Sequence, residues 1–245
     1  MKFALIAPPS HFGDQLLQQY RLTYHMVLAQ YVLEDPYYEG IYQMLRKQDH
    51  FIMLDNGAAE KGHSIGIENV VKAADALGGV DEIVMPDVLD ECNATIAATK
   101  AALKFVPERM RAVVPQGRDW ADWEYCATTL ITLGCRTICI AKRYEALPGG
   151  RPYALDIIRS HNWHQSHSVH LLGCYRNPLK EIRDIAASAP WVRGIDTAAP
   201  ISYAQSGCSL DYPRWHSLVW NADFNFTVAE VNMDLILEAC RCTSS

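Results

Sequence analysis

The sequence has no long hydrophobic run, no Cys-x-x-Cys pair and no excess of positive charge. No apolar run approaches the roughly 20 residues that a membrane-spanning helix needs. The apolar segment at the N-terminus, Met1–Pro8, is too short for a secretory signal and is better explained as a first strand. We therefore expect a cytoplasmic protein that has no membrane partner.

The cysteines and the charge argue against further classes. The eight cysteines lie mostly inside apolar patterns, where cysteine behaves as a small hydrophobic residue. Without a Cys-x-x-Cys pair, a structural zinc site has little support, and we expect no metal. The net charge of -6 argues against a surface coated with positive charge for nucleic acid, but it leaves room for a local basic patch.

What the sequence does contain is a series of short apolar runs, each followed by a polar residue. These residues are Asp55, Asp87, Gln116, Lys142 and Asp196. The intervals between them are long enough for a strand and a helix, which is typical of βαβ units in a parallel sheet. In a (β/α)8 barrel, the catalytic groups come from the C-terminal ends of several strands. The length of 245 residues fits one such barrel, so we expect a single α/β domain, a TIM-like (β/α)8 barrel, over residues 1–245.

The apolar runs predict seven strands and leave the position of the eighth open. A period near 3.6 over Gln15–Val32 predicts one helix, and Asp35-Pro36 begins another. The eighth strand then has to follow Thr197, and we expect it at Ser217–Trp220. An open doubly wound sheet is the alternative, although Pro8-Pro9-Ser10 stands where such a sheet would have a glycine-rich phosphate loop.

Two aspartates are candidates for catalysis. Asp55 lies between an apolar strand and an Asn-Gly turn, where partial burial would raise its pKa and suit it to general acid/base work. Asp196 ends another strand, and an ionised carboxylate there could act as a nucleophile. The alternative for each residue is that it stabilises the turn that follows it.

A second pair of residues could recognise a base. The carboxylate of Asp87 could accept hydrogen bonds from N1–H and the 2-amino group of guanine, while the amide of Gln116 donates to O6. The alternatives are that Asp87 caps the following helix and that Gln116 closes its turn. Each of these residues is weak evidence alone, but a barrel would direct all of them towards one cavity.

Cations also follow the predicted strands. Five of them fall in loops on the same predicted rim and could form a phosphate-binding collar, or could simply be solvated: Arg118, Lys142, Arg143, Arg151 and Arg176. Lys142 could instead form a Schiff base.

The histidines cluster in sequence without indicating a metal site. His161, His164 and His167 precede a strand, so they belong to the opposite end of the barrel. His170 lies inside that strand, and we expect it to face the core or a helix.

Taken together, these motifs resemble the tRNA-guanine transglycosylase superfamily. The segment Leu54–Ala58 is similar to the Asp-Ser-Gly-Gly-Phe segment of the family, which implies that Asp55 is the general acid/base. Met85-Pro86-Asp87 matches the position of the aspartate that reads guanine in the family. Val114–Gly117 is similar to its glutamine-glycine segment, which implies that Gln116 and Gly117 contact the base.

The resemblance continues in the last two strands. His170–Gly173 is similar to the Tyr-Leu-Met-Gly strand of the family, which implies that Leu172 and Gly173 line the base pocket. Gly194-Ile195-Asp196, followed by Pro200, resembles the strand that carries the nucleophile, which implies that role for Asp196.

The departures from the family bear on the substrate. Ala58 or Ala59 stands where the family has a phenylalanine that stacks on the base, so another residue has to stack there. The zinc motif of the bacterial tRNA enzymes and a C-terminal RNA-binding domain are missing from these residues. The resemblance therefore implies the DNA branch, in which bacterial and phage enzymes exchange guanine in DNA for a 7-deazaguanine such as preQ0. A phage-encoded member would act in the host cytoplasm.

The resemblance implies a double displacement through a covalent glycosyl-aspartate, with no cofactor and no catalytic metal. Its partners would be DNA and the incoming 7-deazaguanine, with tRNA as the less favoured substrate. Some of the 12 Tyr and 6 Trp residues are candidates for a homodimer interface.

Three other functions stay open from the residues alone. The first is a Schiff-base lyase or aldolase that uses Lys142. The second is a metal-dependent isomerase or hydrolase that uses Asp55, Asp87 and Asp196. The third is a non-catalytic partner subunit that kept the barrel. We favour the transglycosylase because only that activity uses Gln116 together with both flanking carboxylates.

Overall fold

Eight parallel strands form a nearly closed barrel in a computed structural model that describes residues 1–7, 11–212, 218–219 and 222–241. The order around the sheet is β1-β8-β7-β6-β5-β4-β3-β2, and β1 contacts β2 where the sheet meets itself. The predicted (β/α)8 barrel is thereby confirmed. The strands are β1 (Lys2–Leu5), β2 (Tyr24–Leu28), β3 (Phe51–Asp55), β4 (Glu82–Val84), β5 (Arg111–Val113), β6 (Thr137–Ala141), β7 (Ser168–Leu172) and β8 (Gly194–Thr197).

Helices alternate with the strands, and several begin at the capping residues that the sequence offers. Asp35 accepts hydrogen bonds from two backbone amides at the start of α3, with Pro36 as the first helical residue. None of the helices in the described ranges is both long and apolar enough to cross a bilayer. The helices are α1 (His11–Gln19), α2 (Ala29–Glu34), α3 (Pro36–Lys47), α4 (Ala58–Lys61), α5 (Ile67–Ala76), α6 (Cys92–Ala102), α7 (Trp120–Thr132), α8 (Gly150–Ser160), α9 (Pro178–Ser188), α10 (Ala199–Gln205) and α11 (Phe226–Arg241).

The single helix predicted over Gln15–Val32 is wrong, because this segment contains the end of α1, the whole of β2 and the start of α2. All five residues of β2 are buried, since one face of the strand packs inside the barrel and the other packs against helices. A strand that is buried on both faces is almost continuously apolar. The apolar residues of the segment at 24, 27, 28 and 31 therefore also fit a helical period, and periodicity alone cannot distinguish a buried strand from a helix.

The strand expected at Ser217–Trp220 is also wrong. Leu218 and Val219 have no strand structure, while residues 217 and 220 lie outside the described residues. Once β2 is counted, the barrel has its eight strands without this segment. Pro8, the last residue of the expected first strand, lies outside the described residues together with Pro9 and Ser10.

The inside of the barrel is filled by a small apolar cluster below the C-terminal mouth. Because side chains alternate across a strand, residues two positions apart share the inner face. Asp55 follows Met53 on that face, and Gln116 follows Val114. The cluster consists of Ala4, Ile6, Tyr24, Met26, Leu28, Met53, Val84, Ala112, Val114 and Cys139.

An ion pair lies at the opposite, N-terminal end of the barrel interior. Both terminal nitrogens of Arg193 donate to the carboxylate of Glu82, each at 2.6 Å. The Thr137 hydroxyl donates to the same carboxylate at 2.8 Å. The guanidinium also lies over the rings of Tyr24 and Phe51, at 5.6 and 5.0 Å from their centroids. The pair joins strands β4 and β6 to the residue that precedes β8.

Candidate active site

A cavity of about 830 Å³ opens at the C-terminal ends of the strands. This is the end at which barrel enzymes carry their chemistry, and the volume suits a small organic ligand. All five polar residues that the sequence places at strand ends line it: Asp55, Asp87, Gln116, Lys142 and Asp196.

Asp196 is held at both carboxylate oxygens. Its Oδ1 accepts a hydrogen bond from Nε2 of His170 at 2.9 Å, and its Oδ2 accepts one from the backbone amide of Gly173 at 3.3 Å. The side chain is only 11% exposed, yet it reaches the cavity. Neither hydrogen bond involves the turn after β8, so the turn-stabilising alternative does not describe this residue.

The environment of Asp55 favours the protonated form of its carboxyl group. Burial is the main cause that raises the pKa of Asp55 well above its usual range, and the charge of Glu60 adds to it, followed by those of Asp87 and Asp196. The backbone amide of Gly57 donates to Oδ2 at 2.9 Å and opposes the shift. Asp55 therefore does stabilise its turn, as the alternative expected, while it also faces the cavity.

Glu60, on α4, is a cavity residue that the sequence analysis missed. The sequence could have indicated this position, because Glu60 lies only five residues after Asp55, in the segment that follows the same strand. Its carboxylate raises the pKa of Asp55, so it takes part in the electrostatics of the site.

Asp87 and Gln116 form a buried hydrogen-bonded pair. Nε2 of Gln116 donates to Oδ2 of Asp87 at 2.6 Å, and the amide of Asn56 donates to Oδ1 at 2.8 Å. Burial raises the pKa of Asp87, and these two donors oppose that shift. Asp87 lies five residues before α6 begins at Cys92, so it does not cap that helix.

The orientation of the Gln116 amide follows from its other partners. Its Oε1 accepts from the backbone amide of Asp90 at 3.2 Å and from the hydroxyl of Tyr144 at 3.1 Å. A backbone N–H can only donate, so the oxygen points away from Asp87. The Gln116 amide has a second N–H and each carboxylate oxygen has a second lone pair, so the buried pair has hydrogen-bonding capacity beyond this contact.

The three small or apolar residues predicted to contact a base are not equivalent. Leu172 and Gly173 line the cavity. Gly117 is not among its lining residues within the described part of the chain, and its amide donates to the Tyr144 hydroxyl at 3.1 Å. A Cβ at Gly117 would lie 2.5 Å from the backbone nitrogen of Trp123. Glycine at this position therefore allows α7 to approach closely.

Two of the predicted collar cations line the cavity, namely Lys142 and Arg143. Arg143 forms an ion pair with Asp90, and Arg118, which lies outside the cavity lining, pairs with Glu91. Arg176 lies outside the lining as well, with its guanidinium 5.3 Å from the centroid of the Tyr175 ring. Acidic partners thus neutralise part of the collar.

Arg151 does not belong to the collar, which corrects the prediction. Its side chain is completely buried and pairs with Glu181. Its Nη1 donates to the carbonyls of Ile140 and Leu172, at 3.2 and 3.3 Å. Because α8 begins at Gly150, the side chain turns inward from the first helical turn and ties the ends of β6 and β7 to α9.

His170 faces the core, which is one of the two positions expected from the sequence, but its contact with Asp196 was not predicted. It lies inside the barrel, with Nε2 on Asp196 and Nδ1 2.8 Å from the hydroxyl of Tyr24. Strand alternation could have indicated this place, because His170 is two residues before the predicted pocket residue Leu172. No three His, Cys, Asp or Glu side chains in the described ranges come together as metal ligands.

No protein-family model and no curated protein sequence matches this chain. One barrel fold supports many unrelated reactions. The function therefore has to be inferred from the side chains around the cavity.

Proposed function

We propose that the protein exchanges guanine in DNA for a 7-deazaguanine base such as preQ0. The observation that carries this proposal is the composition of one cavity wall. A hydrogen-bonded carboxylate and amide, Asp87 and Gln116, share the cavity with a firmly held aspartate, Asp196, and with Asp55. A purine edge and a glycosidic carbon are the two parts of a nucleoside that such groups would engage.

Recognition of the base follows from the donors and acceptors that remain unused. Asp87 accepts from N1–H and the 2-amino group of guanine through its remaining lone pairs. The second N–H of Gln116 donates to O6. Adenine presents an amino group where guanine has O6, and it lacks the 2-amino group, so the same wall rejects it. Hydrogen-bonding sites of this kind discriminate strongly, because a wrong ligand leaves buried polar groups unpaired.

The proposed chemistry is a double displacement. The target guanine is first flipped out of the duplex. A carboxylate oxygen of Asp196 forms a bond to C1′ while the bond from C1′ to N9 breaks, and the departing guanine takes a proton from Asp55. The incoming base then gives its N9 proton to Asp55 and attacks C1′, which releases Asp196. Two inversions retain the configuration at C1′.

DNA rather than tRNA is the proposed substrate, with Lys142 and Arg143 at the cavity wall as candidates for contact with the sugar-phosphate backbone. Because Arg143 already pairs with Asp90, a phosphate would have to compete for it. The missing zinc motif favours DNA, and tRNA is the alternative that the assay must separate.

The direct test is release of labelled guanine. We expect duplex DNA that carries labelled guanine to lose label when the protein and preQ0 are added, and tRNA treated in the same way to keep it. Asp184 is 57% exposed on α9, so Asp184→Asn is a matched control that should exchange at the wild-type rate. Release from tRNA alone would keep the chemistry and replace the substrate. Absence of release from both, with folded protein and several deazaguanines, would contradict the proposal, and borohydride trapping at Lys142 would then test the lyase.

A pH dependence follows from the raised pKa of Asp55. The departing guanine needs the protonated form of Asp55, so guanine release should slow as the pH rises through that raised pKa. We expect Asp55→Asn to lower the rate by about 10²–10⁴-fold and to abolish this alkaline decline. The measurement is the single-turnover rate of guanine release against pH. An alkaline decline with the same midpoint in Asp55→Asn would assign it to another group.

A further inference from the structure

His170 links the proposed nucleophile to the interior of the barrel. It is fully buried on β7, with Asp196 at one ring nitrogen and Tyr24 at the other, at 2.9 and 2.8 Å. An inference about His170 rests on the proposed function, because it concerns the group to which that function assigns the attack on C1′.

The partners of His170 select one tautomer. A carboxylate oxygen can only accept, so Nε2, the ring nitrogen that faces the Asp196 carboxylate, carries a proton. In this tautomer the lone pair lies on Nδ1, which accepts from the hydroxyl of Tyr24. Burial raises the pKa of Tyr24 above its ordinary value, so this hydroxyl keeps its proton and remains a donor.

Tyr24 itself is held in place by its surroundings. Its ring stacks on Phe51 with centroids 4.9 Å apart and planes within 16°. A Cβ at Gly194 would lie 2.8 Å from the Tyr24 ring, so only glycine leaves space for the ring here. Since both neighbours restrict the ring, the hydroxyl offers His170 a fixed donor.

We propose that His170 is a positioning residue that orients the carboxylate of Asp196 towards the sugar. Tyr24 supports this role because it favours the tautomer of His170 that donates to Asp196. The donor on Oδ1 from His170 and the donor on Oδ2 from Gly173 fix the plane of the carboxylate. His170 itself exchanges no proton and touches no substrate. Supporting hydrogen bonds of this kind contribute by holding a reactive group in its productive geometry.

Two amide substitutions test whether His170 orients Asp196 through its hydrogen bond or only fills space. Gln places its terminal amide nitrogen near the position of Nε2 of histidine, so His170→Gln can still donate to Asp196 while it loses the contact with Tyr24. Asn is shorter and places its amide near the Nδ1 position, so His170→Asn keeps the contact with Tyr24 and loses the one with Asp196. Both variants bury one amide in the same site.

The readout is the single-turnover formation of the covalent adduct between protein and DNA, with no incoming base present. We expect His170→Asn to slow it by about 10²-fold, as a misplaced reacting group does, and His170→Gln to stay within about 10-fold of the wild type. The dissociation constant for preQ0 should be unchanged in both variants. Tyr24→Phe should give an intermediate loss, because Nδ1 loses its donor and only Asp196 then favours the tautomer with the proton on Nε2.

His25 provides the matched control. It lies next to Tyr24 on β2, is 1% exposed, and points to the opposite face, where Nε2 lies 3.0 Å from Nδ1 of His50. His25→Asn should therefore form the adduct at the wild-type rate, even if its melting temperature falls.

The outcomes keep the two proposals apart. Wild-type protein that forms no adduct refutes the proposed function. Wild-type protein that reacts, with His170→Asn reacting equally fast, refutes the positioning role and leaves the function intact. Equal slowing of His170→Asn and His170→Gln, or weaker preQ0 binding in both, would reduce His170 to a structural residue and also overturn the inference.

Discussion

Replacing Asp196 with Asn should reduce guanine exchange by at least about 10⁴-fold, because the step it removes forms a covalent bond. An amide of the same shape has no carboxylate oxygen to attack C1′, so the glycosyl intermediate cannot form. The fold should survive, since Asn still offers an oxygen to His170. The measurement combines exchange of labelled guanine with detection of the covalent adduct on a denaturing gel, and both should disappear together.

The Asp196→Asn experiment has a matched control variant and two outcomes that would contradict the prediction. Asp184→Asn makes the same chemical change on an exposed helix surface and should keep both signals. If Asp196→Asn still forms the adduct and the attachment maps to Asp55, the two aspartates have the opposite roles. If exchange continues with no adduct at all, a single displacement replaces the covalent mechanism.

The barrel and the five polar strand-end residues of its cavity could be predicted because both follow from local order along the chain. Each polar residue ends its own strand, and parallel strands in a barrel bring those ends to one rim. The prediction failed at β2 because burial on both faces removes the alternation that distinguishes a strand. It failed at Arg151 because a cation in a glycine-rich loop gives no sign that Glu181, in a later helix, will pair with it.

Contacts between distant segments account for the remaining part of the site. Asp87 and Gln116 could each be chosen from the sequence, but their direct hydrogen bond depends on the register of neighbouring strands. His170 meets Asp196 for the same reason, because β7 and β8 pair with Leu172 beside Asp196. Local sequence patterns identify such residues, but the pairing of the strands in the folded sheet determines which of them form hydrogen bonds.

The N-terminal end of a barrel is expected to stabilise the fold and to take no part in catalysis. Arg193→Met should therefore cause a large loss of unfolding free energy. The substitution removes the cation that pairs with Glu82 at two oxygens. Among the described residues, the Glu82 carboxylate, whose side chain is 10% exposed, would keep the hydrogen bond from the Thr137 hydroxyl alone. Breaking one partner of a buried pair costs about 3–5 kcal/mol. We expect the free energy of unfolding to fall by that amount, as measured by urea denaturation.

A second substitution separates the loss of the ion pair from the loss of packing. In the double variant Glu82→Gln/Arg193→Met, no uncompensated charge remains inside the barrel, so most of the lost stability should return. Lys180→Met breaks an exposed pair with Asp184 on α9 and should change the unfolding free energy by less than about 0.5 kcal/mol. A double variant as unstable as Arg193→Met would show that the guanidinium stabilises the barrel through its contacts with Tyr24 and Phe51 rather than by neutralising Glu82. The aromatic support beneath His170 would then depend directly on Arg193.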